Sequence, residues 1–430
     1  MKRVFHFLSR QPIAGVFAEY VMTIFWLLKI RIFSESKNPE VSYPWCIRNQ
    51  AVPTKKISIS CRNFLMPGFS GVNVWIENLC RALVDTHVIT LYCQGSNLKR
   101  VKRTDVGNLT IVQLPVFTSI KLKTLPIYSA WNEALKRIIT KDKITGIFIA
   151  PFSGVETFSL NHINNLKVYT LLVTDERSHR NTSLKRNELK EIERFDSRTK
   201  SIVIREAKVL GYSNFYFFAD SKAILQDLQE LFSVSIESQT TVLPINQEKD
   251  ICNLDEKTKT ILFIGRCEGR KGLKTLLQAW ELIWFYIPDW KLVVATSHGD
   301  DAETMHYLER ISASNMNCRM LINISDDEKH VQLAKSSIVV IPSLYESFGI
   351  VALESMQHGC ATLASNVGGL PEVVGDSGIL FEIGSVTDLS EKLFGLVSNP
   401  KSLIHYSEKS RARVKSNFSD ENIREIFTKL

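Results

Sequence analysis

Two carboxylates, Glu346 and Glu354, stand eight positions apart on either side of a glycine in the segment Pro342-Ser-Leu-Tyr-Glu346-Ser-Phe-Gly349-Ile-Val-Ala-Leu-Glu354. The apolar run Ser337–Ile341 before it predicts a buried strand, and the residues after Gly349 predict a helix. A glycine loop at the carboxyl end of a parallel strand is where open α/β sheets bind ligands. The amides of Gly349, Ile350 and Val351 would be donors at a helix start, and such donors suit a phosphate. Glu354 falls one turn deeper among apolar residues. A carboxylate is costly there unless something hydrogen-bonds it, and ligand hydroxyls are a natural partner. The plainer readings are a dipole-favoured carboxylate at Glu346 and an ordinary salt bridge at Glu354.

A second constellation is Ile261-Leu-Phe-Ile-Gly265-Arg266-Cys-Glu-Gly-Arg-Lys271-Gly272, a strand that passes through a basic loop into a helix. Arg266 at the strand's end and Lys271 at the helix start can converge on one pyrophosphate, the first as a fork and the second as a point charge. Taken alone, such a loop is more often solvated surface. In Asn366-Val-Gly368-Gly369-Leu-Pro371-Glu372 two glycines precede a helix opened by proline, a pattern that needs no ligand to explain it. Gly68-Phe-Ser-Gly71 is a weaker glycine loop before another helix. The acid pairs Asp300-Asp301 and Asp326-Asp327 lie in polar stretches without further ligand candidates, so they read as solvated loop acids and no metal site is expected.

The elements that must position these residues form an alternation of short apolar runs and longer amphipathic segments, which argues parallel sheets with helices on both faces. The first series has strands at Ile57–Ser60, His87–Tyr92, Leu109–Leu114, Gly146–Ala150, Val168–Val173 and Phe215–Ala219, with a helix over Val72–Val84. Asp175 to Lys200 reads as loop plus exposed helix. The second series has strands at Thr260–Gly265, Trp290–Ala295, Met320–Ile324, Ser337–Ile341 and Ala361–Ser365. At 430 residues the chain has room for two cores. The expected division is an N-terminal extension over 1–52, a Rossmann-like acceptor domain over 53–245, a Rossmann-like nucleotide-sugar domain over 246–405, and C-terminal helices over 406–430, the last crossing back to the first domain.

Basic residues exceed acidic ones by eight, which favours phosphates, nucleotides or an anionic lipid surface. The clusters Lys99, Arg100, Lys102, Arg103 and Lys121, Lys123 read most simply as solvated face. No aromatic residues interleave with them, so nucleic acid is not an expected partner. The eight cysteines are scattered singly, which fits reduced thiols in the cytoplasm. Ile13 to Leu28 is apolar but carries Glu19 and is short for a membrane span. A helix lying in the membrane interface and packing on the N-terminal domain are the two readings left open.

The wording of residues 342–375, with its paired acids, resembles family 4 of the retaining glycosyltransferases, and the likeness is specific between 260 and 385. The resemblance implies a GT-B fold, two Rossmann-like domains facing across a cleft, and transfer from a nucleotide diphosphate sugar to a glycan or lipid-linked acceptor. It further implies no cofactor and no metal, and a place at the cytosolic face of a membrane in polysaccharide or glycolipid assembly. By it Arg266 and Lys271 hold the diphosphate, Glu346 lies near the transferred sugar, and Glu354 binds the ribose hydroxyls. The amides of Phe348, Gly349, Ile350 and Val351 meet the diphosphate and sugar, and Gly71 belongs to the glycine loop over the donor phosphates. The chain departs from the pattern where the family often has a histidine, with Pro151, Phe152, Ser153 and Glu156 there instead, and where a His-Asp pair appears as Thr174-Asp175. His179 and Arg180 have no matching role. These departures keep a rival open, a degenerate protein that binds a nucleotide sugar or a partner without turnover. A Rossmann dehydrogenase lacks its G-x-G-x-x-G after Ile57–Ser60.

Overall fold

The computed structural model describes residues 55–62, 71–95, 100–115, 126–150, 163–172, 207–233 and 256–428 except Asn315, with a few isolated positions and the strand Ser238–Thr240 besides. Two compact units emerge. One runs to Asp220 and takes in Ile224–Pro244 and Ile423–Leu430; the other comprises Ser221–Ala223 and Ile245–Asn422.

The first unit is built on an eight-stranded sheet in the order β3-β4-β2-β1-β5-β6-β7-β8. Its strands are β1 (Lys55–Ser60), β2 (His87–Gly95), β3 (Lys102–Val106), β4 (Leu109–Pro115), β5 (Gly146–Ile149), β6 (Lys167–Leu172), β7 (Phe215–Ala219) and β8 (Ser238–Thr240). Helices α1 (Gly71–Leu83), α2 (Pro126–Lys141) and α3 (Lys222–Phe232) accompany them. The pairing is parallel except at β3, which runs antiparallel to β4. The basic run around Lys102 and Arg103 is therefore an exposed strand, its charges solvated as the sequence suggests. Its exposed charges suit a sheet edge, because they discourage pairing with another chain. In the core Trp75 stacks on Phe148 with ring centroids 5.6 Å apart, and Phe427, near the chain's end, meets Phe148 at 5.3 Å.

The second unit has a six-stranded parallel sheet in the order β11-β10-β9-β12-β13-β14. It comprises β9 (Thr258–Arg266), β10 (Lys291–Ser297), β11 (Cys318–Ile322), β12 (Ser336–Ile341), β13 (Ala361–Ser365) and β14 (Ile379–Phe381). The helices are α4 (Leu273–Ile283), α5 (Ala302–Ser312), α6 (Asp326–Lys335), α7 (Ile350–Gln357), α8 (Leu370–Val374), α9 (Val386–Val397) and α10 (Pro400–Asn417), followed by α11 (Asp420–Thr428), which passes from this unit to the first. Every residue of β12 is buried, as a central strand covered on both faces requires. Helix α4 buries Leu273, Leu276, Leu277, Trp280 and Ile283, a helical-period stripe laid on Ile261, Leu292 and Val294. Each such side chain contributes about 1.5–3 kcal/mol on burial. Trp280 also satisfies its indole N–H on the Met316 carbonyl at 2.8 Å.

Candidate active site

Strand β9 lies at the centre of the second sheet, with β10 beside it on one flank and β12 on the other. Loops leaving the carboxyl ends of β9 and β12 therefore diverge, and such a switch point leaves a crevice for a ligand. Arg266 ends β9, a short 3₁₀ turn Gly269–Lys271 follows, and the loop after β12 carries Glu346. The two signature segments, some 75 residues apart in the chain, thus leave adjacent strands on the same edge.

Glycine turns lock these loops together. Gly272 has φ 64°, and a Cβ there would sit 1.8 Å from the Pro342 carbonyl oxygen. Beside it the Leu344 amide donates to the Arg270 carbonyl at 2.8 Å. Gly368, at φ 54°, would place a Cβ 1.8 Å from the Glu346 carbonyl oxygen, and the Gly369 amide donates to that same oxygen at 3.1 Å. The Gly368-Gly369 pair is thus a brace under the loop that bears Glu346, and the proline of the same motif opens α8.

Lys271 Nζ donates to Glu346 Oε2 at 2.6 Å, and Ser343 Oγ donates to the same oxygen at 3.3 Å. Burial alone would push the Glu346 carboxyl up, but the Lys271 ammonium, helped by Arg270 and Ser343, holds it below the usual carboxylate range. Arg266 turns elsewhere: its guanidinium meets Glu268 at 2.8 Å, while Arg270 grips the other oxygen of Glu268 at 2.9 Å. The two expected diphosphate ligands therefore each rest on a resident carboxylate rather than on each other. Glu268 and Arg270 were not singled out in the sequence. The only signal for them there is the alternation of charge between Arg266 and Lys271.

Helix α7 is preceded by its cap residue Gly349, whose φ of 103° and 2.6 Å approach of an added Cβ to Leu370 leave little room for a side chain. The amides of Ile350, Val351 and Ala352 have no acceptor within the helix, so this end is a ready anion site. Phe348 packs its ring on Phe418 at 6.2 Å, which leaves only its backbone to meet a ligand. Glu354, five residues into α7, is buried and bonded: Lys329 Nζ donates to its Oε1 at 2.7 Å. Burial opposes the charge on Lys329, but the carboxylates of Glu354 and Asp326 outweigh it and keep its pKa above the ordinary value. The sequence places Asp300, Asp301, Asp326 and Asp327 in loops, and the structure corrects this for Asp326 and Asp327. Asp301 caps α5 by accepting from the Thr304 amide, and Asp326 and Asp327 open α6, where the macrodipole favours acids. No group of three or more potential metal ligands occurs among the described residues.

In the first unit Gly71 opens α1. Gly68 to Ser70, residues 1–52, Pro151 to Glu156 and Thr174 to Arg180 lie outside the described residues. Among the described residues Cys61, Cys80, Cys93, Cys267, Cys318 and Cys360 are all buried.

The fold is of the GT-B class, with two Rossmann-like units. Sucrose-phosphate synthase from Thermosynechococcus elongatus superposes with a TM-score of 0.73 at 18% identity, over 87% of this chain and 98% of that one. Residues 244–413 match the model of the glycosyl transferases group 1 family. The chain is 28% identical over 200 residues to the N-acetyl-alpha-D-glucosaminyl L-malate synthase of Bacillus anthracis, which covers 46% of this chain and 51% of that protein. It is 32% identical over 130 residues to the O-antigen chain mannosyltransferase B of Escherichia coli, 30% of this chain and 34% of that protein. The matched stretches thus span about half or less of these curated relatives.

Proposed function

We propose that this protein is a retaining glycosyltransferase that moves a sugar from a nucleotide diphosphate to a glycan or lipid-linked acceptor without a metal. The observation that carries this reading is the meeting of Lys271 and Glu346 at 2.6 Å beside the α7 amides, at the carboxyl edge of a sheet in the stretch that matches the glycosyl transferases group 1 family. In the reaction the bond between the anomeric carbon and the diphosphate oxygen breaks, and an acceptor oxygen bonds to that carbon on the same face. The acceptor's proton passes to the departing diphosphate. Negative charge grows on the leaving group, and Arg266, Lys271 and the amides of Phe348, Gly349, Ile350 and Val351 stabilise it there. Lys271 trades part of its hold on Glu346 for the diphosphate, and Glu346 then lies beside the transferred sugar. Glu354 takes the ribose hydroxyls.

A panel of UDP-, GDP- and ADP-linked sugars, offered with and without lipid-linked glycan acceptors, tests this. Transfer with retained anomeric configuration is expected for one donor. Binding of a donor with no transfer and no hydrolysis would instead favour a non-catalytic nucleotide-sugar binder.

No helix among the described residues is long and apolar enough to cross a membrane. The apolar stretch at 13–28, outside those residues, is proposed to attach the protein reversibly to an anionic membrane surface on the cytosolic side. High salt or carbonate should release it from membranes; retention until detergent is added would refute this.

A further inference from the structure

The first sheet carries a row of lysines at the edge opposite its carboxyl edge. Strands β2, β1, β5 and β6 lie side by side and parallel, so all four begin on one rim. Lys55 and Lys56 open β1, and Lys167 opens β6. Lys141 and Lys143 lie between them, just before β5. There the Lys167 amide donates to the Thr145 carbonyl at 2.8 Å, and the β1–β5 register, counted back from Ile59 opposite Phe148, sets Lys55 against Ile144. All five lysines are exposed. Strands about 4.8 Å apart bring the starts of β1, β5 and β6 within about 10 Å, roughly one Debye length, so the charges act together. The acids nearest to them in the chain are already neutralised, Asp85 by Arg424 at 3.6 Å and Asp142 by Arg103. Burial, and after it the Lys55 charge, holds the pKa of His87 at the start of β2 below its ordinary value, as a positive rim requires. Unlike the charges of β3, this row guards no pairing edge, and like charges gathered so closely cost the fold self-repulsion.

We propose that this lysine rim docks the first unit on an anionic lipid bilayer. Lysine is a point charge on a flexible stem, which suits mobile phosphate headgroups, whereas nucleic acid favours arginine forks and aromatic stacking platforms. The chain before β1 argues for the same occupant. It joins the sheet at Lys55, so the apolar stretch 13–28, proposed above to attach to the membrane, is tethered to the rim that bears the lysines. The proposal extends that membrane reading and does not depend on the glycosyltransferase reading. The 6 residues of β1, at about 3.3 Å each, then hold the carboxyl edge of this sheet about 20 Å clear of the headgroups, which leaves the ligand edge open.

Flotation of the full chain with vesicles of phosphatidylcholine, alone or mixed with phosphatidylglycerol, tests this. Wild type should prefer the mixed vesicles by about thirtyfold or more and lose that preference in high salt, because each lysine at an anionic surface is worth about fivefold. Lys56→Gln, Lys141→Gln, Lys143→Gln and Lys167→Gln combined should bring the preference below about fivefold. Removing the same charge from the exposed Lys291, Lys335, Lys401 and Lys415 of the second unit, again by glutamine, should change it by less than about threefold. If the combined rim variant does not fold, Lys56→Gln with Lys167→Gln carries the comparison, with a loss of about tenfold expected. Equal losses from the two sets would show that the attraction follows net charge rather than the rim, and would overturn the proposal. A rim-dependent preference for single-stranded DNA over the mixed vesicles would also overturn it. Equal partition of wild type into both vesicles would overturn it while leaving an apolar role for 13–28, and no partition into either would overturn both.

Discussion

Lys271→Met removes the ammonium that faces Glu346 while keeping most of the side-chain stem. The pair is 19% and 13% exposed, between a fully buried pair, whose breaking costs about 3–5 kcal/mol, and a surface pair worth about 0–1 kcal/mol. Ser343 and Arg270 remain near the stranded carboxylate, so a loss of about 2 kcal/mol is expected. For a unit of this size that lowers Tm by roughly 4–8 °C. Adding Glu346→Gln should return most of the stability, because the uncompensated charge is gone, yet turnover should stay down by about two or more powers of ten. The acid side of the stability curve supplies a second readout. The Glu346 carboxyl is held below its unfolded value near 4.5, so its contribution is full above that pH and is lost as pH falls through the lower folded value. That acid-limb contribution should shrink in Lys271→Met. Differential scanning fluorimetry across pH, together with single-turnover assays, measures both effects. An unshifted Tm in Lys271→Met would refute the coupling, and normal turnover per folded molecule would remove Lys271 from the leaving-group site.

Gly272→Ala should cost about 2 kcal/mol or more, because a left-handed φ is strained for alanine and its Cβ would drive the Pro342 carbonyl away, displacing the loop that carries Glu346. Wild-type Tm and donor affinity in that variant would refute the interlocked-loop account. Glu354→Gln should weaken donor binding by about 1.5–3 kcal/mol, read by calorimetry, and unchanged affinity would remove Glu354 from the ribose. Activity should survive EDTA, since side-chain cations and helix amides carry the leaving-group charge; loss restored by Mg²⁺ or Mn²⁺ would refute this.

Much of the second unit was legible in the sequence because its strands are continuous apolar runs and its helices keep a clean period, as in Ser336–Ile341 and Leu273–Ile283. Both signature loops announced themselves by glycine and charge at strand ends, which is a local property of the chain. The short strands β8 and β14 were missed, because three residues carry no period. The edge strand β3 leaves no strand signal in the sequence, because its charged residues look the same on an exposed strand as on a loop.

What the sequence could not decide is who faces whom. Lys271 and Glu346 were each picked out as ligands for a donor, but only the parallel pairing of β9 with β12 brings their loops to 2.6 Å. Lys329 carried no signal at all: it sits in a polar segment of α6, and its value comes from a carboxylate on α7, 25 residues away. The same holds for the glycines, whose types were plain but whose reasons were not. Gly272 and Gly368 are required by carbonyl oxygens of Pro342 and Glu346 that only the folded sheet delivers. Local composition fixes which residues are capable of chemistry, whereas charge pairing depends steeply on distance, and distances between loops are set by strand order.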